Sequence, residues 1–241
     1  MRISRVHTDY PLQSGSELTL DAEASHYLGT VLRLRTDSIV HLFNARDGEF
    51  AARLTAASKK SVSLLIGEQQ RAPQTNALAI HLGLGLSRGD RMDFGIQKST
   101  ELGASQITPI YSQFGEVRLT GERIENKLRH WRKIAINAAE QCGRLDVPAI
   151  NPPESLVDWQ ASLGEGPCLM LDPTGTDSLA GLTTDHGLNV LIGPEGGFSD
   201  EEISWGRANG LAIVALGTRI LRTETAPVAA LAILQHLYGD M

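Results

Sequence analysis

Between residues 188 and 238 the chain twice runs from a short apolar segment, through a glycine-bearing turn, into residues of helical spacing. The first segment is Leu188-Asn-Val-Leu-Ile192, with the turn Gly193-Pro-Glu-Gly-Gly197 and a helix opening at Ser199-Asp-Glu-Glu202. The second is Leu211-Ala-Ile-Val-Ala-Leu216, followed by Gly217-Thr-Arg-Ile-Leu-Arg-Thr-Glu224. Strand, turn and helix in repeated succession build a mostly parallel sheet with helices on its faces. Glycine turns at neighbouring strand ends then open onto one crevice.

The turns differ from the common phosphate loops. Gly193, Gly196 and Gly197 permit positive φ and let a ligand approach bare backbone, while Pro194 stiffens the loop between them. Ser199 with Glu202 forms a capping-box pattern that starts a helix directly after the loop. After Gly217, Thr223 or Thr225 can cap a helix with Pro227 in its first turn, and Val228, Leu231, Leu234 and Leu237 keep helical spacing. No Gly-Lys-Ser/Thr follows the glycines, which argues against a P-loop. The spacing also departs from Gly-x-Gly-x-x-Gly, and Glu195 stands where a pyrophosphate would lie. A second glycine run, Gly83-Leu-Gly-Leu-Ser-Arg-Gly89, has its third glycine one residue late and Arg88 at a packing position, so a dinucleotide loop is disfavoured there too.

The paired loops, Leu-Ile-Gly-Pro-Glu-Gly-Gly-Phe and Leu-Gly-x-Arg-Ile-Leu-Arg-x-Glu-Thr-Ala, resemble the S-adenosylmethionine loops of the knotted SPOUT methyltransferases. Within these they resemble the family that methylates N3 of a uridine in the decoding region of small-subunit (16S) ribosomal RNA. Ser87-Arg-Gly-Asp-Arg-Met92, Gln97-Lys-Ser-Thr-Glu-Leu-Gly103, Ile107-Thr-Pro-Ile110, Ala139-Glu-Gln-Cys-Gly-Arg144 and His26-Tyr-Leu-Gly-Thr-Val-Leu-Arg-Leu-Arg35 agree with it, so the likeness spans nearly the whole chain. It implies a trefoil knot in the C-terminal segment, a PUA-like RNA-binding barrel at the N-terminus, and a homodimer with the active site at or near the subunit interface.

Organisation along the chain fits that picture. Residues 1–71 read as a small β-barrel: 18–20, 38–43, 50–54 and 61–66 have strand character, Asp47-Gly48 marks a turn, and a short helix is expected to begin near Asp21. Residues 72–76 are polar, contain Pro73 and read as a linker, and 77–241 form the α/β domain. Strands are expected over 78–86, 106–111, 167–171, 188–192 and 211–216, and helices near 90–102, 122–142, 154–163, 200–209 and 224–238.

For the cofactor, the resemblance points to Leu171, Ile192, Gly193, Pro194, Glu195, Gly196, Gly197, Leu216, Gly217, Ile220, Leu221 and Thr223. Arg222 and Glu224 are the catalytic candidates. A guanidinium suits negative charge developing on uracil oxygens, and a carboxylate can assist loss of the N3 proton. Glu224 equally suits the positive end of a helix dipole, and Glu195 can cap loop amides instead of facing a sulfonium. RNA contacts are expected from Arg2, Arg5, Arg33, Arg35, Lys59, Lys60, Arg88, Lys98 and Arg219. Lys98 and Glu101, at i and i+3, can instead be only an intrahelical pair. On the helix near 122–142, Arg123, Lys127, Arg129, Arg132 and Lys133 are either a solvated face or a surface that tracks phosphates.

Composition narrows the alternatives. The net charge is −6, with residues 1–76 at +1 and the remainder at −7, which fits selective RNA contact better than a nonspecific coat. Cys142 and Cys168 are too few for a disulfide framework or zinc site and are expected to be packed side chains, and the seven histidines lack ligand spacing, so no metal is expected. No run of eighteen apolar residues and no apolar signal core occur, which points to the cytoplasm. Two rival functions stay open: a SPOUT enzyme acting on another rRNA base or a ribose 2′-hydroxyl, and a noncatalytic RNA-binding ribosome-assembly factor.

Overall fold

The computed structural model describes residues 3–58, 61–75, 77–185 and 187–241. Its chain divides into two units: Met1–Thr75 with Ala139–Val147, and Asn76–Ala138 with Pro148–Met241.

In the first unit β1 (Arg5–His7), β2 (Glu17–Thr19), β3 (Ile39–Asn44), β4 (Gly48–Ala57) and β5 (Val62–Arg71) form a sheet of order β1-β3-β4-β5-β2. Only β1–β3 is parallel; the other pairs are antiparallel. Val40 and Leu42, Phe50, Ala52 and Leu54, and Val62, Leu64 and Ile66 alternate along the three central strands and share one core with Leu12, Leu20 and Leu28. Period-two burial of this kind gives a sheet one apolar face. The expected short helix is α1 (Ala22–His26), N-capped by the Asp21 carboxylate, which accepts from the Ala24 N–H at 2.8 Å. It widens into a π-turn over Tyr27–Val31.

The unit also takes in 139–147, which the sequence assigns to the second domain. Arg5 explains this. Its guanidinium donates to the carbonyls of Ala139, Glu140 and Arg144 and to the Glu49 carboxylate, and lies 4.1 Å over the Phe43 ring. Arg71 donates to Glu49 and to the Gly143 carbonyl. Phe43 packs with Ala139, Leu145 and Val147.

The second unit holds a sheet in which every pairing is parallel, as the alternating pattern requires. Its strands are β6 (Ile80–Gly85), β7 (Ala104–Tyr111), β8 (Ala149–Ile150), β9 (Glu154–Ser155), β10 (Cys168–Leu171), β11 (Leu188–Ile192) and β12 (Ala212–Val214). The order is β12-β10-β11-β6-β7-β8, with β9 also on β7. The helices are α2 (Gly89–Glu101), α3 (Glu122–Cys142, of which 139–142 belong to the first unit), α4 (Leu156–Ser162), α5 (Asp200–Ala208) and α6 (Thr225–Tyr238). Adjacent residues of β6 show both faces covered. A Cβ on Gly83 would meet Trp159 of α4 at 3.0 Å, and Gly95 of α2 lies against Leu84. Trp159 and Ile203 of α5 join Met170, Leu191 and Ile213 in one core.

Two local expectations are corrected. Helix α6 is capped by neither threonine: its N-cap is Glu224, without a side-chain bond, and Thr225 is already helical. The 222–225 backbone turn, with Thr225 N–H donating to the Arg222 carbonyl at 2.8 Å, satisfies that end instead. Cys142 is exposed, not packed, whereas burial pushes the Cys168 thiol up to about 12.

Candidate active site

Three neighbouring parallel strands, β12, β10 and β11, end at Val214, Leu171 and Ile192. Their following loops enclose a cavity of about 450 Å³ at the carboxyl edge of the sheet. Ligands of open α/β sheets bind at that edge, and the volume is that of a small-molecule site.

Close backbone approach shapes the walls. A Cβ on Gly85, the last residue of β6, would lie 2.2 Å from the Pro194 nitrogen, so only glycine lets this strand end touch the 193–194 backbone. Within the loop, Gly197 has φ +70 and its N–H donates to the Pro194 carbonyl at 2.9 Å, closing a turn over Glu195 and Gly196. The expected capping box follows: Ser199 accepts from the Glu202 N–H at 3.2 Å, and Glu202 accepts from the Ser199 N–H at 2.9 Å. On the other wall a Cβ on Gly175 would sit 2.5 Å from the Val214 carbonyl carbon, so the loop after β10 lies flat on β12. Asp177 secures it by accepting from the Ile213 N–H at 2.7 Å. Asp172 accepts from the Thr174 N–H at 2.8 Å and from its hydroxyl at 2.5 Å. Gly217, at φ +82, turns the chain after β12.

Of the residues expected at a cofactor, Leu171, Ile192, Gly193, Pro194, Glu195, Gly197, Leu216, Gly217, Ile220, Leu221 and Thr223 all line the cavity. Gly196 does not. It is exposed, and a Cβ there would meet Phe114 at 2.7 Å, so its role is to clear that ring. The catalytic candidates Arg222 and Glu224 line the same cavity, and so does Arg219.

Sequence reasoning missed Arg91, Asp172, Pro173, Val214 and Ala226, which complete the wall. Arg91 stands in the first turn of α2, and its Nη1 donates to Glu195 Oε1 at 2.8 Å. Burial alone would raise the Glu195 carboxyl. The bond from Arg91, with the Glu195 backbone N–H and the Ser87 hydroxyl, outweighs burial and holds it below the usual carboxylate range. Arg91 is in turn shifted upward by Glu195 and, more weakly, by Glu224 and Glu116. The motif Ser87–Met92 marks this segment, but no local spacing says which of its residues reaches the crevice.

The expected RNA-contacting residues divide into distinct groups. Arg2, Lys59 and Lys60 lie outside the described residues. Arg5 is turned into the first unit and bonded to Glu49 and three carbonyls, with its side chain 11% exposed, which removes it from any RNA surface. Lys98 is held 2.8 Å from Glu101, the intrahelical alternative. Arg33 and Arg35 are exposed beyond the π-turn, and Arg88 is exposed with Glu116 at 2.8 Å. Among the described residues no group of His, Cys, Asp and Glu is arranged to hold a metal, and no helix is long and apolar enough to cross a membrane.

Comparison with known proteins gives concordant results. The family model of an RNA methyltransferase domain matches residues 74–235, and that of an RNA methyltransferase PUA domain matches 20–67. The ribosomal RNA small subunit methyltransferase E of Buchnera aphidicola from Schizaphis graminum is 34% identical over 242 residues, covering 100% of this chain and 98% of its own. That of Bacillus subtilis is 27% identical over 97% of this chain and 96% of its own. Among solved structures, the enzyme of the same name from Neisseria gonorrhoeae, bound to S-adenosylmethionine, superposes with a TM-score of 0.92 at 32% identity, covering all of both chains. A Legionella pneumophila protein in complex with the same cofactor superposes at 0.95 with 36% identity, again over the whole of both chains. The parallel sheet, the loops at its carboxyl edge and full-length similarity all lead to one assignment: this chain belongs to the ribosomal RNA small subunit methyltransferase E family.

Proposed function

We propose that the crevice binds S-adenosylmethionine and that the protein methylates N3 of one uridine in the decoding region of 16S ribosomal RNA. The observation that carries this reading is the mixed lining of the cavity. Leu171, Ile192, Leu216 and Leu221 offer apolar surface to an adenine, while Asp172, Glu195 and Glu224 place carboxylates around a cationic ligand. Glycines at close backbone contacts leave room for it. When bound, the cofactor supplies a methyl group activated by a positively charged sulfur.

The rest is the work of side chains. Uridine N3 is a weak nucleophile while protonated, so its proton must pass to a base as the new N–C bond forms. Glu224, on the cavity wall at the start of α6, is the candidate acceptor. Arg219 and Arg222 are exposed on the same wall, and their guanidiniums suit the negative charge that moves onto the uracil oxygens. Arg91 fixes Glu195 and holds its carboxyl below the usual range. Alignment of donor and acceptor supplies much of the acceleration.

In this reading Arg33, Arg35 and Arg88 contact RNA phosphates, the C-terminal segment forms the family's trefoil knot, and the enzyme acts in the cytoplasm on small subunits. It also works as a homodimer, which exposed Phe94 on α2 and Ile233 and Leu237 on α6 support. Sedimentation of the purified protein at twice the chain mass checks the dimer.

The deciding experiment is transfer of labelled methyl to small ribosomal subunits lacking the modification, with nucleoside analysis of the digested RNA. 3-Methyluridine at a single position is expected. A label on another base or on a ribose hydroxyl would move the acceptor atom, and cofactor binding without transfer would leave a noncatalytic RNA-binding protein.

A further inference from the structure

The glycine turn after β11 presents two faces. Glu195 and Gly197 line the crevice, whereas Gly196, one Cα step of about 3.8 Å from each, does not and instead meets Phe114. Phe114 lies between β7 and α3, and a Cβ on Gly196 would stand 2.7 Å from its Cβ and 3.3 Å from its carbonyl oxygen. The lip of the crevice therefore carries an aromatic residue on its outer side.

The loop that presents this ring is braced. The Gly115 N–H donates to the Ser112 carbonyl at 3.1 Å, and Arg118 donates to the carbonyls of Ser112 and Gly115 at 3.1 and 3.2 Å. The Gln113 N–H donates to Glu202 Oε1 at 2.8 Å, and Glu202 is the carboxylate that caps α5 directly after the glycine turn. Phe114 is nonetheless 48% exposed. A folded chain gains by burying a phenylalanine, yet here a fixed turn holds one in water.

Arg88 supplies positive charge near it. Its guanidinium pairs at 2.8 Å with Glu116, two residues beyond Phe114, and it stands three residues before Arg91 of the crevice wall. Both partners are exposed, so the pair is weak, and a phosphate can take the carboxylate's place. An exposed ring with a nearby guanidinium suits single-stranded RNA, whose bases stack on aromatic faces while cations meet the backbone. The apolar residues that support a dimer lie elsewhere, on α2 and α6.

We propose that Phe114 stacks the base of a nucleotide next to the acceptor uridine, with Arg88 on the adjoining phosphate. The proposal rests on the rRNA-methylation reading above and deepens it, because a base held on the outer lip leaves its neighbour at the mouth of the crevice. The turn is already formed, so little order is lost when the base arrives.

The test compares wild type with Phe114→Leu, which keeps apolar bulk but removes the flat face, and with Phe114→Tyr, which keeps the face. Binding is measured to small subunits lacking the modification. Phe114→Leu should bind them roughly tenfold more weakly and Phe114→Tyr like wild type, with S-adenosylmethionine affinity the same in all three. In subunits reconstituted around rRNA with one abasic nucleotide beside the acceptor, one position should weaken wild type by a similar factor and Phe114→Leu much less. Wild-type subunit affinity in Phe114→Leu, or equal losses in both proteins at every abasic position, would overturn the proposal. So would loss of the dimer in Phe114→Leu, which would make the ring a contact between copies of the chain. Methyl transfer to intact subunits is scored in parallel. Transfer without the difference between phenylalanine and leucine removes only the stacking role, while that difference without transfer removes the methylation reading and keeps the stacking role.

Discussion

The Arg91 guanidinium meets the Glu195 carboxylate at 2.8 Å across 104 positions of sequence, tying the first turn of α2 to the glycine loop of the crevice. Both side chains are partly exposed, at 53% and 36%, so the pair adds little to folding stability. Its worth lies in fixing Glu195 in one place, with its carboxyl below the usual carboxylate range.

Arg91→Ala is therefore expected to leave the melting temperature nearly unchanged and to weaken S-adenosylmethionine binding on the order of tenfold, the scale of one charge-assisted hydrogen bond. Calorimetric titration of the folded variant checks this. Wild-type affinity in Arg91→Ala would show that the ion pair is only a surface contact.

Gly85→Ala tests the backbone contact beneath the same loop. Its methyl group would lie 2.2 Å from the Pro194 nitrogen, so the loop must shift. A loss of about 1–3 kcal/mol of stability is expected, together with most cofactor binding. Gly217→Ala serves as the contrast, because at φ +82 it meets nothing within 4 Å. It should carry only the left-handed backbone cost of roughly 1–2 kcal/mol. Equal cofactor affinity in wild type and Gly85→Ala would refute the packing argument.

His81 makes stability depend on pH. Burial lowers its imidazole to about 4. Its ring Nε2 lies 2.8 Å from the Thr108 hydroxyl and 3.2 Å from the Trp159 indole nitrogen, which donates to it. In the unfolded chain the ring protonates near 6.5, so between that value and 4 the unfolded state binds more protons. Stability is then fully present above about 6.5 and falls as pH drops towards 4, by at most about 3 kcal/mol before solvent screening reduces it. His7, lowered by burial against the opposing charge of Asp9, adds in the same direction. Denaturant titrations from pH 7.5 to 4.5 should show a shallower decline in His81→Gln; an unchanged slope would exclude His81 as a source.

Glu49 holds the first unit together. Its carboxylate, 5% exposed, accepts from Arg5 at 3.1 Å and from Arg71, and bonds His41 Nδ1 at 2.6 Å. Burial pushes this carboxyl upward, but the Arg71, His41 and Arg5 bonds win and leave it lowered. Glu49→Ala would strand Arg5 beside a buried apolar ring, at a cost of about 3–5 kcal/mol. Equilibrium unfolding monitored by far-UV circular dichroism measures the loss, and one below about 1 kcal/mol would match an exposed pair instead.

Much of the second unit was legible because its signals are local. Strand β11 and helix α3 fall where the apolar runs and helical spacing place them, and Ser199 with Glu202 caps α5 as their spacing requires. Eleven of the twelve residues expected at the cofactor share one cavity, since consecutive loop residues at a strand end reach the same crevice. Other features left no local trace. Two-residue β8 and β9 are too short to show alternation. Arg91 comes to the crevice from the first turn of α2, far in sequence from the glycine loops, and the Arg91–Glu195 pair is created only by tertiary folding. Arg5 read as a surface cation because its partners at 139, 140 and 144 are backbone carbonyls, a group that every residue offers.

The assignment of Ala139–Val147 to the first unit makes the two halves interdependent in synthesis and in evolution. A fragment cut after Thr75 lacks the carbonyls that Arg5 and Arg71 grip, so the N-terminal module cannot be lifted out whole or exchanged by a single crossover at the linker. On the ribosome it stays unfinished until Val147 has emerged, by which point the whole of α3 and the first two strands of the second sheet have already been synthesised.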